Sequence, residues 1–347
     1  MRAPARPAAL AGAFAALVLA GGALSACSDD AGDTDGARGT STPAGAPEGD
    51  VPAAPVLSDD LAVSQDGSEV LADCWSGICR WSTTDGSLGQ VEDGSHVAVD
   101  PEWSLIAGVG DGATVVLVDA DSGDVVHELA GHTDEEVTDG SPIRAIAFSP
   151  DGSLVASAGP DGEVIVWSVE DGEEVATVET TGDTTGFAFS PDGTRLAASA
   201  ERIEVFDLPS GDRVETLPES TAGAGALAWS PDGRWLAGPG PGAAAAVWET
   251  AGFALADQLA GGSVRDLAFD PDSETLAVTE SDSQAVRLWL PGTRAEVRDL
   301  VGHTEEPGAV VFAPDGGELY SVTGADGVFA WDVRTGTLAR QFELPER

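Results

Sequence analysis

The residue types that can do chemistry are few in this chain and fall in four places. Cys74 and Cys79 bracket the stretch CWSGIC. Two thiols at that spacing could close a disulfide or supply half of a zinc site. The zinc reading needs two further ligands; none stand nearby, and the chain has only four His. Arg144 and Arg265 occupy one register of an internal repeat, three repeats apart. Two such guanidinium groups at a common mouth could grip a carboxylate or phosphate. The competing expectation is salt bridging, for example with Asp59 or Asp266. Residues 131–142, GHTDEEVTDGSP, gather Asp134, Glu135 and Glu136. Such a loop could draw Ca²⁺ or a basic partner, or simply be a solvated face. Residues 119–124, DADSGD, lack the spacing and the Glu of an EF-hand loop. There is no phosphate-cradling Gly-rich loop, metal-ligand cluster or Gly-x-Ser-x-Gly nucleophile turn. The expectation is therefore no enzyme, no cofactor and no bound metal.

The elements that position these residues start after a leader. The first residues, MRAPARP, are basic, and an apolar run of signal-peptide length follows, ending in LSAC at residues 24–27. This resembles the bacterial lipobox, in which the Cys becomes the lipidated N-terminus. The resemblance implies a signal peptide over 1–26, lipid on Cys27, and a place on the extracytoplasmic face of the cell membrane, held by two acyl chains. With Cys27 spent on lipid, Cys74 and Cys79 remain as a pair in an oxidising compartment. Residues 27–56 then read as a disordered acidic tether: Gly, Ala, Pro, Asp and Thr dominate and no apolar period recurs. Such a coil reaches on the order of 30 Å.

The formal net charge is −44, and all sixteen basic residues are Arg. A surface of that sign repels nucleic acid and anionic lipid and suits a partner with a basic patch. A compositional bias that serves solubility alone is the plainer account.

From residue 57 to 347 one pattern repeats. FSPDG stands at 148–152 and 189–193, with near-copies WSPDG, FDPDS and FAPDG. Aligned on the Pro, the equivalent positions are Gln65, Pro101, Pro150, Pro191, Pro231, Pro271 and Pro314, at intervals of 36, 49, 41, 40, 40 and 43. Two residues earlier stands a large apolar residue in every copy, and three earlier a small one, Val311 excepted. That is a strand buried on both faces. Five residues later a second strand runs through Val70, Ile106, Val155, Leu196, Leu236, Leu276 and Leu319. Between them Pro fixes φ and Gly accepts φ > 0, a tight hairpin turn. A third strand ends on Trp81, Val118, Trp167, Phe206, Trp248, Trp289 and Trp331, and a fourth completes each set. One such unit cannot cover its own faces, so it repeats until a ring closes. The expected fold is all-β, a seven-bladed β-propeller of four-stranded antiparallel blades. How the ring closes, and whether PAAPVL adds a strand to the last blade, stays open.

These residues resemble the WD-repeat (WD40) family, over about residues 57–347. Gly131-His132 and Gly302-His303 match the Gly-His that opens such repeats. The resemblance implies a buried hydrogen-bonded tetrad at His132, Ser157, Asp161 and Trp167, and another at His303, Ser321, Asp326 and Trp331. A His, a Ser and an Asp could also be read as a hydrolytic triad; inside a blade they have no cleft, and the structural role is expected. Repeats four and five depart from the pattern, with a short SAERIEV hairpin and a GPGPGAAAA turn, which points to weaker blades there. The resemblance implies a platform for protein–protein contacts, with an envelope or secreted protein as partner and no nucleic acid. Trp75, Arg144, Arg265 and the acidic loop are the candidate binding rim; Trp75 could instead fold back over its neighbour. The alternative function is an anion-binding or enzymatic propeller working at the channel mouth.

Overall fold

The computed structural model describes residues 61–64, 66–74, 77–92, 98–110, 112–120, 122–133, 142–221, 226–259, 261–293 and 295–344. Among the described residues, twenty-eight strands form seven four-stranded antiparallel sheets, and each sheet takes its strands in sequence order. Blade 1 spans residues 61–92, blade 2 98–130, blade 3 145–179 and blade 4 186–216. Blade 5 spans 228–258, blade 6 264–301 and blade 7 309–342. The expected signal peptide over 1–26, Cys27 and the expected tether to residue 56 lie outside the described residues.

The strand register follows the repeat. In all seven blades the large apolar residue before the turn pairs with the residue five after the Pro position, as in Phe148↔Val155 and Phe312↔Leu319. That residue in turn pairs with the end of the third strand: Val70↔Trp81, Ile106↔Val118, Val155↔Trp167, Leu196↔Phe206, Leu236↔Trp248, Leu276↔Trp289 and Leu319↔Trp331. At this same position every blade carries a β-bulge between its third and fourth strands. A bulge strengthens local twist, which suits blades that turn about an axis.

The hairpin turn is built from side chains as well as from backbone freedom. In blade 3 Ser149 Oγ donates to Asp151 Oδ1, which also accepts the amide and hydroxyl of Ser153. Blades 1 and 4 repeat this with Asp66 and Asp192. Blades 2 and 6 replace the Ser by an Asp, and Asp100 and Asp270 reach the amides directly. The residue two after the Pro position has φ between 58° and 71° in every blade. Five blades place Gly there; blade 6 places Ser273 and blade 2 places Trp103.

Burial differs from the expectation for the first strand. It is only half-buried in blades 1, 2, 3 and 5, because the innermost strands face the channel axis; the second and third strands are the fully buried ones. Blades 4 and 5 were expected to be weak, yet Leu196–Ala198, Ile203–Phe206 and Trp235–Pro239 are all buried. The irregularity falls elsewhere: the first strands of blades 2 and 5 shrink to Ala98–Val99 and Ala228–Trp229. The ring closes by packing. Val70, Ala72, Cys79 and Trp81 of blade 1 share one apolar cluster with Tyr320, Val322, Val328, Ala330 and Phe342 of blade 7. Trp81 Nε1 donates to the carbonyl of Glu343 at 3.3 Å.

Candidate functional site

Two faces flank the ring. One carries the hairpin turns between first and second strands. The opposite face carries the second-to-third strand hairpins and the loops that link one blade to the next. Both predicted tetrads stand at the second face. In blade 7, His303 Nε2 meets Ser321 Oγ at 2.7 Å and its Nδ1 meets Asp326 Oδ2 at 3.4 Å. Trp331 Nε1 donates to Ser321 Oγ at 2.8 Å, which closes the network. With Nδ1–H turned to the carboxylate, Nε2 accepts the Ser hydroxyl, whose oxygen is then free to accept the indole. Burial pushes His303 down to about 4, against the pull of Asp326, so the ring is neutral near pH 7. Burial also pushes Asp326 up, but bonds from the amide and hydroxyl of Thr304 and from Thr323 more than offset it and hold the carboxyl below its ordinary range.

Blade 3 has the same plan with one difference. His132 Nδ1 lies 2.8 Å from Asp161 Oδ2 and Nε2 2.7 Å from Ser157 Oγ. Trp167 does not donate to Ser157. Its ring stands edge-on to His132 at 6.1 Å, against 5.8 Å for the Trp331–His303 pair. The implied tetrad is thus a triad plus a packed indole. Neither group is set for nucleophilic catalysis, since both Ser residues are fully buried and both His are spent on their partners.

Blades 4, 5 and 6 hold the incoming loop without His, a feature the sequence reading missed. In blades 3 and 7 the amide after the His, Thr133 or Thr304, donates to the Asp carboxylate. In blade 4 the amide of Thr181, the residue in the His position, donates to Glu204 Oε2 at 3.0 Å. Glu204 is wholly buried, and its other oxygen pairs with Arg213 at 2.6 Å. In blade 6 the carboxylate of Glu280 lies against Gly261, where a Cβ would collide with it, and pairs with Arg287 at 3.4 Å. In blade 5 the backbone does the work: Thr221 donates from its amide to Pro239 O and from its hydroxyl to Gly240 O. A lone Glu in an apolar strand, as in RIEVFD, is the signal that would have found Glu204.

Of the candidate rim, Arg144 and Arg265 are both exposed. Arg265 is not aimed at a shared mouth. It is ion-paired with Glu306, and the other oxygen of Glu306 accepts the amide of Asp282. Of the expected partners, Asp59 lies outside the described residues, and Asp266 accepts the amide of Val310 from the next blade. The reason is reach: the loop carrying Glu306 folds back over blade 6. An anion grip by the pair would have to displace Glu306. Arg144 has no ion-pair partner among the described residues. Trp75, Asp134, Glu135 and Glu136 lie outside the described residues, as does the side chain of Cys74; Cys79 is fully buried. Among the described residues no three His, Cys, Asp or Glu side chains converge as a metal site.

The turn face holds what the sequence reading passed over. Where the first strands of blades 1 to 4 end, a cavity of about 280 Å³ is lined by Val63, Val99, Trp103, Ala147, Phe148 and Phe189, among others. Trp103 is partly exposed and left-handed at φ 58°, and the guanidinium of Arg80 lies over its ring at 5.8 Å. A Trp in the slot where five repeats write Gly is the sequence signal that marks it.

Seven four-stranded blades, two of them opened by Gly-His and five with a third strand ending on Trp, have the form of a WD-repeat propeller, and the comparisons agree. The family described as WD domain, G-beta repeat matches residues 123–168 and 257–289. The small ribosomal subunit protein RACK1 of Schizosaccharomyces pombe is 32% identical over 104 residues, 27% of this chain and 33% of that protein. MST50-interacting protein 11 of Pyricularia oryzae is 26% identical over 170 residues, 46% of this chain and 52% of that protein. The chain thus spans between a third and a half of the length of these relatives. A chain in a crystal structure of the mitotic checkpoint complex superposes with a TM-score of 0.69 at 19% identity, over 86% of this chain and 99% of that one. The matched stretches are WD repeats, and the fold around them is that of a seven-bladed propeller.

Proposed function

We propose that this chain is a platform for protein–protein contacts, anchored by lipid on Cys27 to the extracytoplasmic face of the cell membrane. The observation that carries the platform reading is how the polar groups are used. Among the described residues, His132, His303, Asp161, Asp326 and Glu204 are committed to holding loops, and Arg265 to Glu306, which leaves none of these groups as a free acid–base pair. What those bonds present is a set of fixed rim loops. Relatives named for a place in the ribosomal subunit and for interaction with another protein support the same use. The partner is an envelope or secreted protein; the net charge of −44 disfavours nucleic acid.

The anchor rests on the LSAC site after an apolar leader. A Cys74–Cys79 disulfide belongs to the same reading. The hairpin pairs Ala72 with Cys79, which puts residues 74 and 79 diagonally on one face. Enzymatic use of the channel mouth is not favoured, given the Arg265–Glu306 pair.

Two measurements test this. Metabolic labelling with a radioactive fatty acid should mark the wild type and not Cys27→Ala; equal labelling of both removes the anchor. Capture of envelope proteins on the chain should retain a partner that the Arg144→Glu, Arg265→Glu, Trp75→Ala variant loses. A partner held equally by both moves the site off this rim.

A further inference from the structure

The turn face combines two features that are independent of each other. The first is the apolar cavity, whose walls include Trp103, Phe148 and Phe189. The second is charge. The residue after the Pro position is acidic in every blade, and Asp66, Glu102, Asp151 and Asp192 stand exposed beside the cavity. Asp232, Asp272 and Asp315 continue the ring through the other three blades, also exposed. Asp66, Asp151, Asp192, Asp232 and Asp315 each spend Oδ1 on their own hairpin, which fixes the carboxylate without neutralising it. The bonds from Ser68 and Ser64 hold Asp66 down to about 2, and those from Ser149 and Ser153 hold Asp151 below its ordinary range, so both stay ionised under any physiological condition. Two guanidinium groups of blades 1 and 4 are engaged: Arg195 pairs with Asp207 at 3.0 Å, and Arg80 lies over Trp103.

We propose that this face docks a cationic polypeptide segment carrying an apolar side chain. The side chain enters the cavity against Trp103, and flanking Lys or Arg meet Glu102, Asp151 and Asp192. Charge complementarity selects this occupant over the others. A second copy of the chain brings the same −44, and an anionic lipid surface is repelled as well. Trp103 is a fitting anchor, a large ring held in place by Arg80 in a conformation that its position in the turn makes costly. A Gly there would relieve that cost, so the turn itself does not require the Trp.

The inference rests on the platform reading and assigns it a face and a partner chemistry. The test uses the full chain and fluorescein-labelled pentapeptides, read by anisotropy. Lys-Lys-Phe-Lys-Lys should bind. Lys-Lys-Gly-Lys-Lys should bind about tenfold more weakly, and Glu-Glu-Phe-Glu-Glu not at all. Trp103→Gly should lower affinity for the Phe peptide about tenfold with Tm unchanged or raised. Glu102→Gln, Asp151→Asn, Asp192→Asn keeps the hairpin acceptors and should weaken binding and flatten its dependence on salt. Equal binding of the Phe and Gly peptides would reduce the effect to diffuse charge and overturn the proposal. So would wild-type affinity in Trp103→Gly, or no binding of the Phe peptide. A partner captured through the Arg144 rim while the Phe peptide fails to bind would leave the platform standing and remove this face from it.

Discussion

Blades 3 and 7 hold the incoming loop with His, Asp and Ser, whereas blade 4 holds it with Glu204 alone. In all three the same bond recurs: the loop amide of Thr133, Thr304 or Thr181 donates to a buried or half-buried carboxylate. The His is therefore not the shared element. It adds a second strut from the loop to the Ser of the second strand, and Glu204 replaces that strut by an ion pair to Arg213. The shared requirement is an acceptor for a loop donor that folding removes from water. Blade 5 meets it with two backbone carbonyls, which is why a GPGPG turn without any acid still makes a full blade.

The largest expected effect breaks the blade 4 arrangement. Glu204→Ala removes the acceptor of Thr181 and the partner of Arg213 at a site that excludes water. It should cost about 3 kcal/mol in urea unfolding. Thr221→Ala in blade 5 loses one hydroxyl bond and should cost about 1 kcal/mol. Equal costs would mean that the buried carboxylate is incidental.

The second effect separates a His-held blade from the rest by pH. His303 falls from 6.5 to about 4 on folding, so the unfolded chain takes up a proton that the native chain refuses. The stability this neutral ring contributes is complete above about pH 6.5 and is lost as pH falls toward 4, by ~3 kcal/mol in all. The stability gap between wild type and His303→Gln should accordingly shrink across that window. A gap that widens on acidification would reverse the sign and refute the neutral ring.

The smallest effect sharpens the contrast between the two His blades themselves. Trp331→Phe deletes the indole bond to Ser321, whereas Trp167→Phe deletes none. The first should cost about 1 kcal/mol more than the second, measured as Tm or urea midpoint.

What was legible in the sequence is what is local and periodic. The Pro-Asp-Gly turn, the apolar residue before it and the aromatic end of the third strand each fall on one register, and the structure pairs them in all seven blades. The WD40 resemblance also brought His132 to Asp161 and His303 to Asp326 across 29 and 23 residues. Partners fixed by loop geometry were not legible: Arg265 finds Glu306 across 41 residues, and Asp266 finds the amide of Val310 across 44. Nothing in the spacing of those residues encodes how a loop folds back. Glu204 and Trp103 were legible in principle, as a charge in an apolar strand and a ring in a Gly slot, because each breaks the local rule around it.

The central claim is that the rim loops entering blades 3, 4 and 7 are held as a preformed surface by carboxylates whether or not a His is present. Amide hydrogen exchange at Thr181 and Thr304 tests it most directly. The account predicts that both amides are protected well above an exposed loop amide, and that Glu204→Ala releases Thr181 while leaving Thr304 protected. Free exchange of Thr181 in the wild type, beside a protected Thr304, would contradict it and return the rim's order to the His blades alone.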